Sequence, residues 1–218
     1  MEGIFGIYKP TGPTSHDIIN KLRKITGERR IGHAGTLDPL AKGVLVVAIS
    51  RKYTRKLEKQ VAADKEYIAK IKLGYTSATD DAEGPMQREE TGVMINHNTV
   101  KKVLKTFEDK IMQTPPAYSA IKLKGKRAYQ LARKGKTPAL KPRPVEIKKI
   151  ALIKYKWPYL EIRVKTGKGV YIRSLARDIG AKLGVGGYLA ALERTRVGKF
   201  TRINSLTLKE FASKYDKV

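Results

Sequence analysis

Cysteine is absent from this chain, which removes disulfides, thiolate nucleophiles and cysteine-ligated zinc and agrees with a reducing compartment. Histidine is scarce, and His16, His33 and His97 are scattered, with no His-Glu-x-x-His pair to hold a zinc ion. No apolar run approaches the roughly 18 residues of a membrane-spanning helix, and no signal-peptide core is present. No membrane association and a cytoplasmic location are therefore expected. Carboxylates are also few. The 20 Asp and Glu face 46 Lys and Arg, a net charge of +26, and the cations run from Lys9 to Lys217 instead of forming one tail. That balance favours a polyanionic partner. It names no reaction, because enzymes, ribosomal proteins and chromatin binders all neutralise phosphates in the same way.

Nucleotide-binding signatures are missing as well. There is no Gly-x-x-x-x-Gly-Lys-[Ser/Thr] loop, Gly167-Lys168-Gly169 is too short to serve as one, and no Gly-x-Gly-x-x-Gly follows a strand. The acidic run Asp80-Asp81-Ala82-Glu83-Gly84 lacks the alternate spacing of a calcium loop and reads as a solvated turn. An enzyme here is expected to use neither a metal nor an organic cofactor.

What is present is enough apolar residue, 41% of 218, to build a core, with no internal repeat and no linker-like break. A single domain over 1–218 is expected. Strands are predicted over Gly3 to Tyr8, Val44 to Ile49, Tyr67 to Leu73, Val145 to Lys156 and Tyr159 to Thr166, the last two joined at Trp157-Pro158. A glycine-punctuated loop runs to Gly43. Helices are predicted from Ser15, as cap, to Ile25; from Ser50 to about Ala63; from the cap Asn98 through Val100, Val103, Leu104, Phe107 and Ile111; near Arg127 to Arg133; over Tyr171 to Leu183; and after the capping box Thr207 to Glu210. Polar loops are predicted at 76–92 and 124–144. Hairpins more evident than regular βαβ units give an α+β fold with a central, largely antiparallel mixed sheet flanked by helices.

Asp38 lies between glycines at 32, 35 and 43, where the backbone can turn sharply or approach a ligand. Spacing alone also accommodates a structural reading, in which Asp38 caps a single helical turn that starts at Pro39. The surrounding segment Gly32-His33-Ala34-Gly35-Thr36-Leu37-Asp38-Pro39-Leu40-Ala41-Lys42-Gly43 resembles the catalytic motif of the TruB-type tRNA pseudouridine synthases. Further likeness lies in Lys9-Pro10-Thr11-Gly12 with Ser15, in Lys65-Glu66-Tyr67, in Pro115 to Lys122, in Gly169 to Leu175, and in Leu192 to Phe200. Ala34 departs from the family, where many members carry threonine.

The resemblance implies a pseudouridine synthase fold and conversion of the T-loop uridine at tRNA position 55 into pseudouridine. It implies Asp38 as the nucleophile, attacking either the ribose C1′ or the base C6. Tyr67 would stack on the base and accept the C5 proton, though a core-facing strand aromatic is the plain alternative. Arg173 would pair with the catalytic carboxylate, Tyr171 and Leu192 would wall the base pocket, and His33 would enter the space that a flipped nucleotide leaves. Lys9 and Pro10 would support the loop without joining the chemistry. Lys134, Lys136 and Lys141 would grip the T-arm of tRNA. A monomer with no obligate protein partner is expected. Two rivals are a guide-RNA-dependent relative acting on rRNA and a non-catalytic RNA-binding protein on the same fold.

Overall fold

Strand β1 (Gly3–Lys9) runs into a turn and helix α1 (Ser15–Thr26), and the chain returns through β2 (Ile31–Ala34) and β3 (Ala41–Ile49). The computed structural model describes residues 2–57, 63–90, 94–123, 125–136 and 138–215. They form two compact units, Met1–Ile68 with Lys165–Lys168 and Leu192–Val218, and Ala69–Val164 with Gly169–Ala191. After α2 (Arg51–Thr54) come β4 (Lys65–Leu73), β5 (Tyr75–Ser77), β6 (Met86–Arg88), α3 (His97–Lys105) and β7 (Asp109–Gln113). Next are β8 (Lys122–Leu123), β9 (Lys126–Arg127), α4 (Ala128–Ala132), β10 (Arg143–Lys156) and β11 (Tyr159–Thr166). The chain closes with α5 (Ile172–Lys182), β12 (Gly187–Val197), β13 (Phe200–Thr201) and α6 (Leu208–Tyr215). The α+β class and mixed sheet expected from the sequence are observed.

In the first unit β1 pairs antiparallel with β3 along its whole length, and β2 pairs antiparallel with the far half of β3. β12 joins β3 in parallel over Leu192–Arg194 against Ala41–Gly43, and β13 folds back on β12. β3 is buried on both faces, which is why Val44 to Ile49 reads as an unbroken apolar run. Gly43 is required at this crossing. It holds φ +112°, and a Cβ there would stand 2.2 Å from the carbonyl oxygen of Arg194. Helix α1 carries Ile18, Ile19 and Leu22 into the core, each worth about 1.5–3 kcal/mol of burial. Phe211 of α6 meets Phe5 edge to face.

In the second unit β7 pairs antiparallel with β10, Ile111 lying opposite Val145. Helix α3 packs on β10 and α5. β11 alternates strictly, with Leu160, Ile162 and Val164 inward and Tyr159, Glu161 and Arg163 outward.

Several local expectations change. Thr14, not Ser15, caps α1: its hydroxyl accepts from the Asp17 amide while the Asp17 carboxylate accepts from the Thr14 amide. Asn96, not Asn98, caps α3, its side chain accepting from the Thr99 amide. That helix stops at Lys105, and Asp109 takes φ +75°, so Ile111 belongs to a strand and not to the helical stripe. The helix after Ser50 spans only Arg51–Thr54, and residues 58–62 of the expected span lie outside the described residues. The loop to Gly43 contains β2 and the start of β3. The 76–92 loop contains the β5–β6 hairpin, Thr76 opposite Gln87, and its last two residues lie outside the described set. The 124–144 loop, whose residues 124 and 137 are likewise outside it, holds β9, α4 and the first residues of β10.

Candidate active site

Six backbone carbonyls, five of them between Gly35 and Val44, are held by three buried side chains. Lys9 is wholly buried, and its Nζ donates to the carbonyls of Ala41 at 2.6 Å, Pro10 at 2.9 Å and Pro39 at 3.5 Å. Ser15 Oγ donates to the Leu37 carbonyl at 2.9 Å and accepts from the Leu37 amide at 2.8 Å. Arg194 is 1% exposed; its Nε donates to the Val44 carbonyl at 2.7 Å and its Nη2 to the Gly35 carbonyl at 3.0 Å. Ammonium and guanidinium can be buried here because carbonyl oxygens accept hydrogen bonds from them. The loop is therefore framed on both sides of Asp38, so the carboxylate leaves a fixed backbone.

Asp38 itself is half-buried, and its carbonyl accepts from the Ala41 amide at 3.0 Å, a tight turn with Pro39 in second place. No helix starts there, so the helical-cap reading fails while the turn it relied on is real. Gly12 donates to the Pro39 carbonyl at 2.9 Å, which ties the Lys9 to Gly12 segment to the same turn. Lys9 thus supports the loop, as expected, and the Pro10 carbonyl shares the same ammonium.

Of the other expected residues in this unit, Leu192 is 9% exposed and sits opposite Ala41 in the parallel pairing, three residues past Asp38. Tyr67 is buried on the inward row of β4 with Lys65 and Ala69. His33 lies on β2 opposite Val47, and its Nδ1 is buried without a hydrogen-bond partner. Burial, then the charges of Arg194 and His16, hold its pKa below the ordinary histidine value, so the neutral imidazole is favoured. Lys65 donates to the Ala63 carbonyl at 2.9 Å. Burial and then the Arg194 charge lower its pKa to about 8, against the opposing pull of Asp64.

In the second unit Arg173 is 7% exposed near the start of α5. Its Nη2 donates to the Tyr118 carbonyl at 2.9 Å and its Nη1 to the Thr79 carbonyl at 3.3 Å, with the Asp81 carboxylate 3.4 Å away. Asp81 is 2% exposed and accepts from Thr79 Oγ1 at 2.5 Å and the Glu83 amide at 3.0 Å. Asp80, at φ +62°, pairs with Arg177 at 2.7 Å. Burial raises the Asp80 pKa although Arg177 and Arg173 oppose it. The acidic run is thus no solvated turn: two of its carboxylates hold two arginines of α5. Tyr171 is the N-cap of α5, and buried Gln113 answers both of its backbone groups, accepting from the amide at 2.9 Å and donating to the carbonyl at 3.1 Å. Arg143 lies 5.2 Å from the Tyr171 ring centroid. Lys134, Lys136 and Lys141 are all exposed.

Comparison with known proteins decides the family. Residues 23–172 match the description "TruB family pseudouridylate synthase (N terminal domain)", and residues 173–217 match "tRNA pseudouridylate synthase B C-terminal domain". The chain belongs to the TruB family. The tRNA pseudouridine synthase B of Thermobifida fusca is 42% identical over 222 residues, which cover 98% of this chain and 75% of that protein. The one from Clostridium tetani is 42% identical over 96% of this chain and 72% of its own length. Among solved structures, a chain of a Cbf5-Nop10-Gar1 complex superposes with TM-score 0.77 at 31% identity, over 99% of this chain. This chain spans just over half of that one, 56%. As a TruB-family member the chain is an RNA pseudouridine synthase, and isomerisation of uridine to pseudouridine in tRNA is the activity that membership implies.

Two framing residues of this TruB chain escaped the reading of the sequence. Thr14 and Ser15 are adjacent candidates for one cap, and a helix uses only one, which leaves the other hydroxyl for a distant partner. Arg194 stood inside the Leu192 to Phe200 likeness as one cation among 46. Its polar neighbours Glu193 and Thr195 do nothing to mark it as buried.

Proposed function

We propose that this protein isomerises the T-loop uridine at tRNA position 55 with Asp38 as its nucleophile. The observation that carries the reading is the frame around Asp38, where Lys9, Ser15 and Arg194 fix the backbone by hydrogen bonds to carbonyls at 35, 37, 39, 41 and 44. An anchored carboxylate in a basic protein suits attack on an RNA-bound centre, since reacting atoms must be held close and aligned.

The reaction breaks the bond between N1 and C1′, turns the freed uracil, joins C5 to C1′ and releases the C5 proton, while N1 takes up a proton from solvent. The Asp38 carboxylate supplies the electron pair, at C1′ or at C6, and leaves again when the new bond is complete. Tyr67 stacks on the base and takes the C5 proton. Arg173 supplies the counter-charge, and Tyr171 and Leu192 wall the base; His33 fills the gap left by the flipped nucleotide. Lys134, Lys136 and Lys141 are exposed and flexible in reach, which fits contact with T-arm phosphates. We take the protein to act on tRNA as a cytoplasmic monomer.

The test is tritium release from C5-labelled uridine in an unmodified tRNA transcript. Asp38→Asn should reduce release by on the order of 10⁴-fold while the transcript is still retained on a filter. Equal release from both proteins would remove Asp38 from the chemistry.

A further inference from the structure

Trp157 and Pro158, at the turn between β10 and β11, line two grooves of the second unit. The larger, about 790 Å³, includes Arg88, Glu89 and Glu90, so carboxylates outnumber cations, and Glu89 is already engaged by Thr76 at 3.0 Å. The smaller, about 420 Å³, brings Lys70, Lys154 and Lys156 together with Tyr159 against one carboxylate, Glu161. All three of these lysines are exposed, Tyr159 is 41% exposed, and neighbouring Ile153 is 45% exposed. Cations and rings already meet here. Lys70 Nζ lies 4.3 Å from the Tyr159 ring centroid, and on the same outward row of β4 Lys72 Nζ lies 4.2 Å from the ring of Tyr75.

An open strand face that alternates ammonium groups with exposed rings has the chemistry for unpaired nucleic acid, because ring faces stack on bases and ammoniums follow phosphates. An acidic peptide would match the charge and leave the rings unused. We propose that this face is a second RNA-contact surface, which takes an unpaired segment of the bound RNA, bases against Trp157 and Tyr159 and phosphates against Lys70, Lys154 and Lys156. It is separate in the sequence from the 124–144 segment, and it rests on the reading that RNA is the substrate.

Trp157 is the sole tryptophan of the chain, so its emission reports on the turn shared by the two grooves, and the lysine variants tell them apart. Titrating the full chain with unmodified tRNA transcript, and separately with a short oligouridylate, should quench that emission. Lys154→Ala combined with Lys156→Ala should lower the slope of log affinity against log salt by about 1.4, taking about 0.7 for each single-strand phosphate contact. In the same variant kcat for tritium release should hold while KM rises, with the circular dichroism spectrum unchanged. Transcript retained on a filter without any change in emission would overturn the proposal. So would an unaltered salt slope, or quenching by polyglutamate equal to that by RNA, which would mark an acidic protein partner. Quenching and a lowered slope without tritium release from the wild type would keep this surface and discard the catalytic reading.

Discussion

Two aspartate-bearing segments use charge in opposite senses. Around Asp38, buried cations hold neutral carbonyls, and the carboxylate stands in a frame made by other residues. Around Asp80 and Asp81 the carboxylates are themselves the anchors, holding Arg173 and Arg177 of α5. With Asp38 as the proposed nucleophile, the difference separates an acid kept for chemistry from acids kept for structure. In the sequence both are aspartates close to glycine, one alone and the others in an acidic run.

The sharpest way to break that comparison is to neutralise one acid from each segment. Asp38→Asn should abolish most turnover, as above, with a small change in the denaturation midpoint. Asp81→Asn should do the reverse first, since it leaves Arg173 buried beside a neutral amide. A loss of about 3 kcal/mol, read from urea unfolding, is expected for breaking a buried pair. If Asp81→Asn left stability intact, the anchoring role would be wrong.

Arg194→Lys keeps the charge but loses the planar fork that reaches two carbonyls 159 and 150 residues earlier. Tritium release should fall by about 10²-fold in kcat, the scale of a loop misplaced by an ångström, with a smaller change in KM. Unchanged kcat would show that Lys9 and Ser15 suffice as the frame.

The smallest effect belongs to Lys65. Its folded pKa of about 8 lies below the ordinary 10.5, so the folded state binds fewer protons than the unfolded state between those values. Stability then rises with pH across that window, because burying the charged amine is unfavourable below pH 8 and the penalty fades as the amine loses its proton. Wild type should gain on Lys65→Met in urea midpoints as pH rises from 7.5 to 10. A constant difference would place the amine in water.

Elements whose pattern is local were legible in the sequence. The capping box Thr207 to Glu210 forms as expected, with the Thr207 amide 2.7 Å from the Glu210 carboxylate, and β10, β11 and α5 keep nearly their expected bounds. What was not legible depends on distant partners. Gly187 to Val197 contains Leu, Ala and Glu in helix-forming order, yet it becomes β12 because β3 offers it a parallel edge. Ile111 sits four residues after Phe107, a helical spacing, but pairs with Val145 across a sheet. At the candidate site, the importance of Asp38 was visible only through family resemblance. Its frame was half visible, in Lys9 and Pro10. The other half was hidden, because the Ser15 hydroxyl was read as a helix cap and the Arg194 guanidinium stood unmarked among 46 cations.

The Arg194 contact also orders events during synthesis. The segment around Asp38 leaves the ribosome ahead of the guanidinium that grips Gly35, which is added 159 residues after that glycine. A nascent chain halted before β12 would carry the complete motif with its far brace missing. The Asp38 carboxylate would gain its final setting only once β12 has been made.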